Sequence, residues 1–304
     1  MAVVQLTTDL VVRLLTLNIF LRPFLISSYW NGEYKEERME MFVEEYSKEY
    51  DVISMQEVFG SWSWRRERLI EMFYERGFTH FAHMSDAPRE HFHCSKFGCL
   101  KGEAPYLSTD SGILIVSRYP IHSTHEMIFS RKQWSDSMAR KGVLHVRLNV
   151  TESVQIDVFT THLQSGSKPS SEEIRDAQLQ EMSQFIAEHA SSESTVTVVN
   201  GDFNMNGMDE DEYERLLRGL TSRMAKATLY NVIEEMTAPT SYGHSNIFEL
   251  KRSDSSEYID YMFLFNPRRC TVETAGVRPF PVTGEKFVRL SDHDGVECTL
   301  KITV

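Results

Sequence analysis

Cysteine is scarce: Cys94, Cys99, Cys270 and Cys298 are the only four in 304 residues, too few for a disulfide framework in a chain this long. Free thiols in a reducing compartment are the expectation. Long apolar runs are missing as well. No stretch reaches the roughly 18 apolar residues that span a bilayer. The apolar N-terminal stretch is interrupted by Asp9, Arg13 and Arg22 and does not read as a secretion signal. The expected setting is the cytoplasm, with any membrane met peripherally. Basic charge is also short, 32 Lys and Arg against 44 Asp and Glu, for a net charge of −12. Affinity for a nucleic-acid backbone comes from Lys and Arg displacing counterions. This balance therefore argues against a nucleic-acid enzyme, although a local basic groove is compatible with an acidic average. No Pro/Gly/Ser linker, low-complexity tract or internal repeat divides the sequence, so 1–304 reads as one domain.

What is present is a succession of strand-like runs rich in apolar and β-branched residues. They cover Val11–Leu17, Asp51–Val58, Ser111–Ser117, Gly142–Leu148, Val154–Thr161, Thr195–Val199, Tyr258–Phe265 and Val296–Val304. Two amphipathic stretches predict helices. One, over Glu33–Lys48, places Met39, Phe42, Val43 and Tyr46 on one face. The other, over Glu172–Ala190, gathers Ile174, Leu179, Met182, Phe185 and Ile186, with Ser170 and Ser171 as candidate N-caps. Neighbouring runs such as Gly142–Leu148 and Val154–Thr161 suggest hairpins and hence mostly antiparallel pairing. The fold class is α+β, with two packed sheets and helices outside.

The chemistry lies in a recurring position: a polar residue at or just past the end of a strand-like run. Asn18 follows Leu14–Leu17, Glu57 follows Val52–Gln56, and His162 follows Val158–Thr161. Asp202 and Asn204 follow Val196–Gly201, and Asp292 and His293 precede the last run. Strand ends hold side chains rigidly at a rim, as a site requires. Taken singly, each has a structural explanation, since Asn and Asp at strand ends usually make turns. Together the types are complementary. Carboxylates and amide oxygens suit Mg²⁺, histidines move protons near neutral pH, and Asn side chains donate to phosphoryl oxygens.

The set Asn18, Gln56-Glu57, Ser111–Ser117, Thr161-His162, Gly201-Asp202-Phe203-Asn204, Ile259-Asp260-Tyr261 and Ser291-Asp292-His293 resembles the endonuclease/exonuclease/phosphatase superfamily. The motifs stand in that family's order and run from Asn18 to the last strand. The segment from Asp136 to Lys141-Gly142, with Thr161–Gln164, Arg175, Gln178-Leu179 and Leu290–Val296, is most similar to the neutral sphingomyelinase branch. The resemblance implies a four-layered α/β sandwich of two mostly antiparallel β-sheets flanked by helices, of the DNase I type, with the site where the sheets meet at one edge. It also implies Mg²⁺, with Mn²⁺ able to substitute, and cleavage of sphingomyelin or a related choline phospholipid at a membrane surface, with no obligate protein partner. Glu57, Asn18 and Asp292 then form the metal set. His293 is the base, oriented by Asp260. Asp202 positions water or the leaving group, Asn204 and His162 donate to phosphate, and Lys141 with Asp136 completes the catalytic residues.

Two other functions use the same residues differently: a nuclease of this fold acting on nucleic acid, or an inactive scaffold that binds phospholipid or protein. A scaffold would be expected to have lost motif residues, and none is missing. An inositol-phosphate phosphatase would carry extended patterns around Gly201–Asn204 and His293 that are not present. Secreted bacterial members of the sphingomyelinase branch carry a signal peptide and an apolar hairpin, and larger animal members an N-terminal anchor; none of these is expected from this sequence. Phe59–Trp64 offers either an interfacial aromatic loop or a helix start with Trp packed inside. His91, His93 and Cys94 with Cys99 match no tetrahedral zinc spacing and read as a His-rich surface loop.

Overall fold

The computed structural model describes residues 9–22, 32–60, 63–84, 110–133, 136, 139–224, 227–236, 238–242, 247, 256–282 and 286–304. Six strands, β1 (Asp9–Leu21), β2 (Val52–Val58), β3 (His80–His83), β4 (Leu114–Ser117), β11 (Cys270–Arg278) and β12 (Gly295–Thr303), make one sheet in the order β11-β12-β1-β2-β4-β3. The other sheet contains β5 (Ile121–Ile128), β6 (Gly142–Asn149), β7 (Gln155–His162), β8 (Val196–Asp202), β9 (Leu229–Asn231) and β10 (Asp260–Phe265), ordered β5-β6-β7-β8-β10-β9. The two share one plan. A central parallel pair, β1 with β2 and β7 with β8, is flanked by antiparallel partners on both sides. The α-helices among the described residues are α1 (Lys35–Met41), α2 (Arg65–Glu75), α3 (Pro169–His189) and α4 (Glu210–Thr221).

Strand periodicity builds the layers, because successive side chains point to opposite faces. In β1, Val12 and Leu14 face the second sheet and meet Leu144, Val146, Val158 and Val198. Leu15, Leu17 and Ile19 face the other way, onto Phe42 and on Phe73 of α2. Val143, Phe159, Val199 and Phe263 of the second sheet cover Leu179 and Met182 of α3 and Leu216 and Leu220 of α4. The result is the expected four-layered sandwich, helix–sheet–sheet–helix.

The inward rows change character towards one end. After Leu14 the row of β1 continues as Thr16 and Asn18, and after Val52 that of β2 continues as Ser54 and Gln56. After Val158 the row of β7 becomes Thr160 and His162, and after Val198 that of β8 becomes Asn200 and Asp202. β10 runs the other way and begins with Asp260, opposite Asp202. The layer between the sheets is therefore apolar for most of its length and polar at the ends of the parallel strands. Ligand sites favour such carboxyl ends.

Local details differ from the sequence expectations for identifiable reasons. β1 extends past Asn18 to Leu21, with a register shift against β2 between those residues. The first helix starts at Lys35, because Glu33 and Tyr34 have left-handed φ values of 63° and 50°. Ser170 and Ser171 do not cap α3: Pro169 opens the helix, which places both serines in its first turn, and flanking Lys168 makes no side-chain cap bond. Among the described residues, no helix is long and apolar enough to cross a membrane.

Candidate active site

Three hydrogen bonds stitch the two sheets together at their polar end. Asn18 Nδ2 donates to Asp202 Oδ2 at 3.1 Å, and Gln56 Nε2 donates to Thr160 Oγ1 at 3.0 Å. His293 Nδ1 donates to Asp260 Oδ2 at 2.7 Å. Over this seam opens a cavity of about 560 Å³ lined by Asn18, Glu57, Lys141, His162, Asp292 and His293 among others. Asp136, Asp202 and Asn204 also face it, and Asp260 reaches it through its bond to His293. The metal-ligating and catalytic residues expected from the sequence are thus brought to one place.

Close approach between strands makes this possible. Gly201 has φ +134°, and a Cβ there would lie 2.1 Å from the Thr161 carbonyl oxygen. Only glycine allows β7 and β8 to approach so closely, and their register sets His162 beside Asp202. Gly112 (φ +68°) plays the same part beside Glu57, whose Cα would sit 3.1 Å from an added Cβ. Glu57 has φ 60° and Asn204 has φ 50°. Left-handed backbone at residues other than glycine costs on the order of 1–3 kcal/mol and concentrates at functional sites. Glu57 falls outside the inward row of β2, and this turn brings it to the cavity.

The groups divide into an anionic and a cationic side. On the first, Glu57 Oε2 is buried with no hydrogen-bond partner. Burial, followed by the charge of Asp292, pushes its carboxyl up to about 7. On the other, Lys141 Nζ donates to the Leu163 carbonyl at 2.6 Å and pairs with Asp136 Oδ2 at 3.1 Å. Asp136 Oδ2 also accepts from the Ser165 amide and hydroxyl, at 2.7 and 2.9 Å. Burial alone would raise the Asp136 pKa, but Lys141, His162 and these bonds hold it below the usual carboxylate range.

The two histidines respond in opposite ways. Burial, then the charge of Lys141, pushes His162 down to about 4, so its ring is neutral. Its Nε2 lies 3.4 Å from Asp202 Oδ2, while Nδ1 is buried without a partner. A neutral ring has a single proton, so donation to phosphate competes with the Asp202 contact. Burial also opposes charge on His293, but Asp260, Asp292 and Asp202 outweigh it and raise the pKa well above the ordinary value. His293 Nε2 lies 3.9 Å from Asp202 Oδ2.

Two oxygen-rich sets here could hold a cation. Ligand atoms of Asp202, Asp260 and His293 lie within 4.8 Å of one another. The His293–Asp260 hydrogen bond already occupies two of them. Glu57 with Asn18 and Asp292 is the other set, all hard oxygen donors of the kind Mg²⁺ prefers. The orphaned Glu57 oxygen fits that group, since a buried carboxylate without a partner is costly unless a cation offsets it. Asn18 Oδ1 accepts from the Phe20 amide at 3.1 Å, which leaves one lone pair.

Some contributors were not evident from the sequence. Thr240 Oγ1 accepts from the amides of Ile259 and Asp260, both at 3.0 Å, and so fixes the start of β10. Ser165, three residues after His162, anchors Asp136. Arg38 is completely buried beneath the site, although the helical pattern of its segment gives no hint that it points inward. Trp64, just ahead of α2, is 85% exposed and not packed inside, whereas Phe59 is buried against the cavity. The candidate zinc residues 91, 93, 94 and 99 lie outside the described residues.

Comparison with known proteins agrees with this geometry. A sphingomyelinase of Dictyostelium discoideum is 27% identical, over 84% of this chain and 72% of that protein. Sphingomyelinase C of Listeria ivanovii is 28% identical over 57% of this chain; the chain spans about half of that relative's length, 52%. Among solved structures, a Staphylococcus aureus beta toxin variant with bound magnesium ions superposes with a TM-score of 0.66 at 19% identity, covering 96% of this chain and 99% of that one. The family model described as Endonuclease/Exonuclease/phosphatase family matches residues 16–293. That span takes in every motif from the inward row of β1 to His293, and on this ground the chain belongs to the endonuclease/exonuclease/phosphatase family.

Proposed function

We propose that this chain hydrolyses the phosphodiester of sphingomyelin or a related choline phospholipid, releasing ceramide and phosphocholine from the former, with Mg²⁺ as cofactor and Mn²⁺ able to replace it. The observation that carries this reading is the 2.7 Å His293–Asp260 pair opening onto the same cavity as the unpartnered Glu57 oxygen and Lys141. Asp260 fixes the ring proton on Nδ1 of His293 and turns Nε2 towards the cavity and Asp202. Water held there attacks phosphorus and gives its proton to Nε2. The bond from phosphorus to the ceramide oxygen breaks, that oxygen takes up a proton from solvent, and Nε2 returns to solvent the proton it gained. Glu57, Asn18 and Asp292 would hold the cation. Once bound, it would draw charge from a phosphate oxygen and offset the carboxylates that hold His293 protonated. Lys141 places positive charge beside the phosphate, steered by Asp136, and Asn204 and His162 line the approach.

A choline headgroup is favoured over nucleic acid by charge. The same cavity is lined by Glu172, Glu212 and Glu257 against Arg175, which pairs with Glu212 at 3.5 Å; this net acidic wall suits a cation and repels a polyphosphate. The names of the relatives support the same substrate class. The test is parallel assay of the purified protein with Mg²⁺ against sphingomyelin in mixed micelles, lysophospholipids and plasmid DNA. Release of phosphocholine well above any nicking of DNA is expected. Robust cutting of DNA with no phosphocholine released would overturn the proposal in favour of a nuclease.

A further inference from the structure

Arg38 has no exposed surface, yet it carries a guanidinium. Nη1 donates to the carbonyls of Ile19 at 2.9 Å and Leu290 at 2.5 Å, Nη2 to Phe20 at 2.6 Å, and Nε to Glu33 at 2.9 Å. These acceptors are not a random set. The β1–β12 ladder ends at the pair Thr16–Val296. Beyond it the two strands no longer pair: β1 runs on through Asn18 beside β2, and the segment before β12 carries Asp292 and His293. The carbonyls of Ile19, Phe20 and Leu290 belong to this separated stretch, and a buried carbonyl without a donor is unfavourable. The planar five-donor fork of arginine can bridge several acceptors at once, which a lysine ammonium does not reproduce. Ser291 Oγ adds one more tie, donating to the Asn18 carbonyl at 2.5 Å.

We infer that Arg38 is a positioning residue, a buried clamp that continues the β1–β12 pairing beyond its last backbone pair and holds Asn18 in register with Asp292 and His293. Its side chain is wholly buried and does not line the cavity. Burial pushes its pKa down to about 10, opposed by Asp292, Glu33 and Glu57, so it stays charged at neutral pH. Lys141, His162 and Asn204 stand with the other sheet, held against Leu163 and Asp202 and not against the clamped segments. Loss of Arg38 therefore acts on cation binding and turnover and spares binding of the lipid phosphate. The inference rests on the metal-dependent reading above.

Arg38→Lys tests it, with Met39→Ala as the control. Met39 is fully buried on the same helix and bonds no carbonyl at the site. Mg²⁺ binding is measured by calorimetry without lipid, together with kcat and KM for phosphocholine release and thermal unfolding. Arg38→Lys is expected to weaken Mg²⁺ binding and lower kcat, each by roughly 10- to 100-fold as for other supports of metal ligands, with KM nearly unchanged. Met39→Ala is expected to lower the unfolding temperature and leave Mg²⁺ affinity alone. A Mg²⁺ affinity in Arg38→Lys close to wild type, or an equal loss in Met39→Ala, would overturn the clamp. Hydrogen exchange on the wild-type protein decides the matter if Arg38→Lys does not fold. Mg²⁺ should slow exchange in 14–22, 288–294 and 35–41 together, and indifference of 35–41 would contradict it. These readouts need no substrate. Coupled Mg²⁺ binding without phosphocholine release would retain the clamp and remove the proposed reaction.

Discussion

Glu57 sits in a left-handed conformation with an unpartnered carboxylate oxygen, and both features cost stability in the absence of a cation. The sign of the pH effect follows from its carboxyl being pushed up to about 7. The folded protein keeps a proton here that the unfolded chain, with an ordinary carboxyl, releases near pH 4.5. Ionisation therefore destabilises the fold progressively as pH rises through that window, and the full cost, on the order of 3 kcal/mol at most, is present above pH 7. Glu57→Gln never ionises. At pH 8 without divalent cation it is expected to unfold several degrees above wild type, with the gap closing towards pH 4.5 and on adding Mg²⁺ to wild type. Its Mg²⁺-dependent turnover should fall sharply. A lower unfolding temperature for Glu57→Gln at pH 8 without metal would contradict this. Residue types were highly legible in the sequence: Asn18, Glu57, His162, Asp202, Asp292 and His293 mark one cavity through their place at strand ends. Arg38 and Thr240 were not legible, because what they do is satisfy backbone atoms brought near only by tertiary structure.

At the scale of elements, the strands that the sequence displayed and those it concealed differ in position. The central strands β1, β2, β4, β6, β7, β8 and β10 are buried over most of both faces and read as apolar runs, while central β12 alternates buried residues with half-buried Glu297, Thr299 and Lys301. β3, β5, β9 and β11 are the four sheet edges. β5 reads Ile-His-Ser-Thr-His-Glu-Met-Ile and is largely exposed, so its conformation is set by pairing with β6 more than by its own burial. The Phe59–Trp64 segment is informative in another way. It leaves β2 at the cavity with Phe59 inside and reaches α2 with Trp64 the most exposed large apolar side chain among those described. On the proposed reaction, an exposed Trp a few residues after the cavity-lining Phe59 fits headgroup depth. Trp64→Ala is expected to weaken binding to sphingomyelin vesicles at least a few-fold, while kcat on a short, water-soluble phosphocholine diester stays unchanged. Undiminished vesicle binding in Trp64→Ala would show that the membrane is met elsewhere.

For the whole molecule, the decisive fact is that neither sheet holds a complete site. His293 arrives just before β12 of one sheet, and Asp260 begins β10 of the other. Their bond, like those of Asn18 with Asp202 and Gln56 with Thr160, crosses the seam. Alternation along single strands foretold the layers, but the pairing across the seam depends on how two sheets of like plan pack, which no single run of sequence carries. The central claim is that His293 and Asp260 act as one unit on the attacking water. Its most direct test is the double-mutant cycle of His293→Ala and Asp260→Asn, read as phosphocholine release from sphingomyelin at saturating Mg²⁺. Loss of the imidazole should cost at least about 10²-fold in turnover, Asp260→Asn a smaller or similar factor, and the double mutant far less than their product. Turnover of His293→Ala within a few-fold of wild type, or losses that multiply in the double mutant, would contradict it.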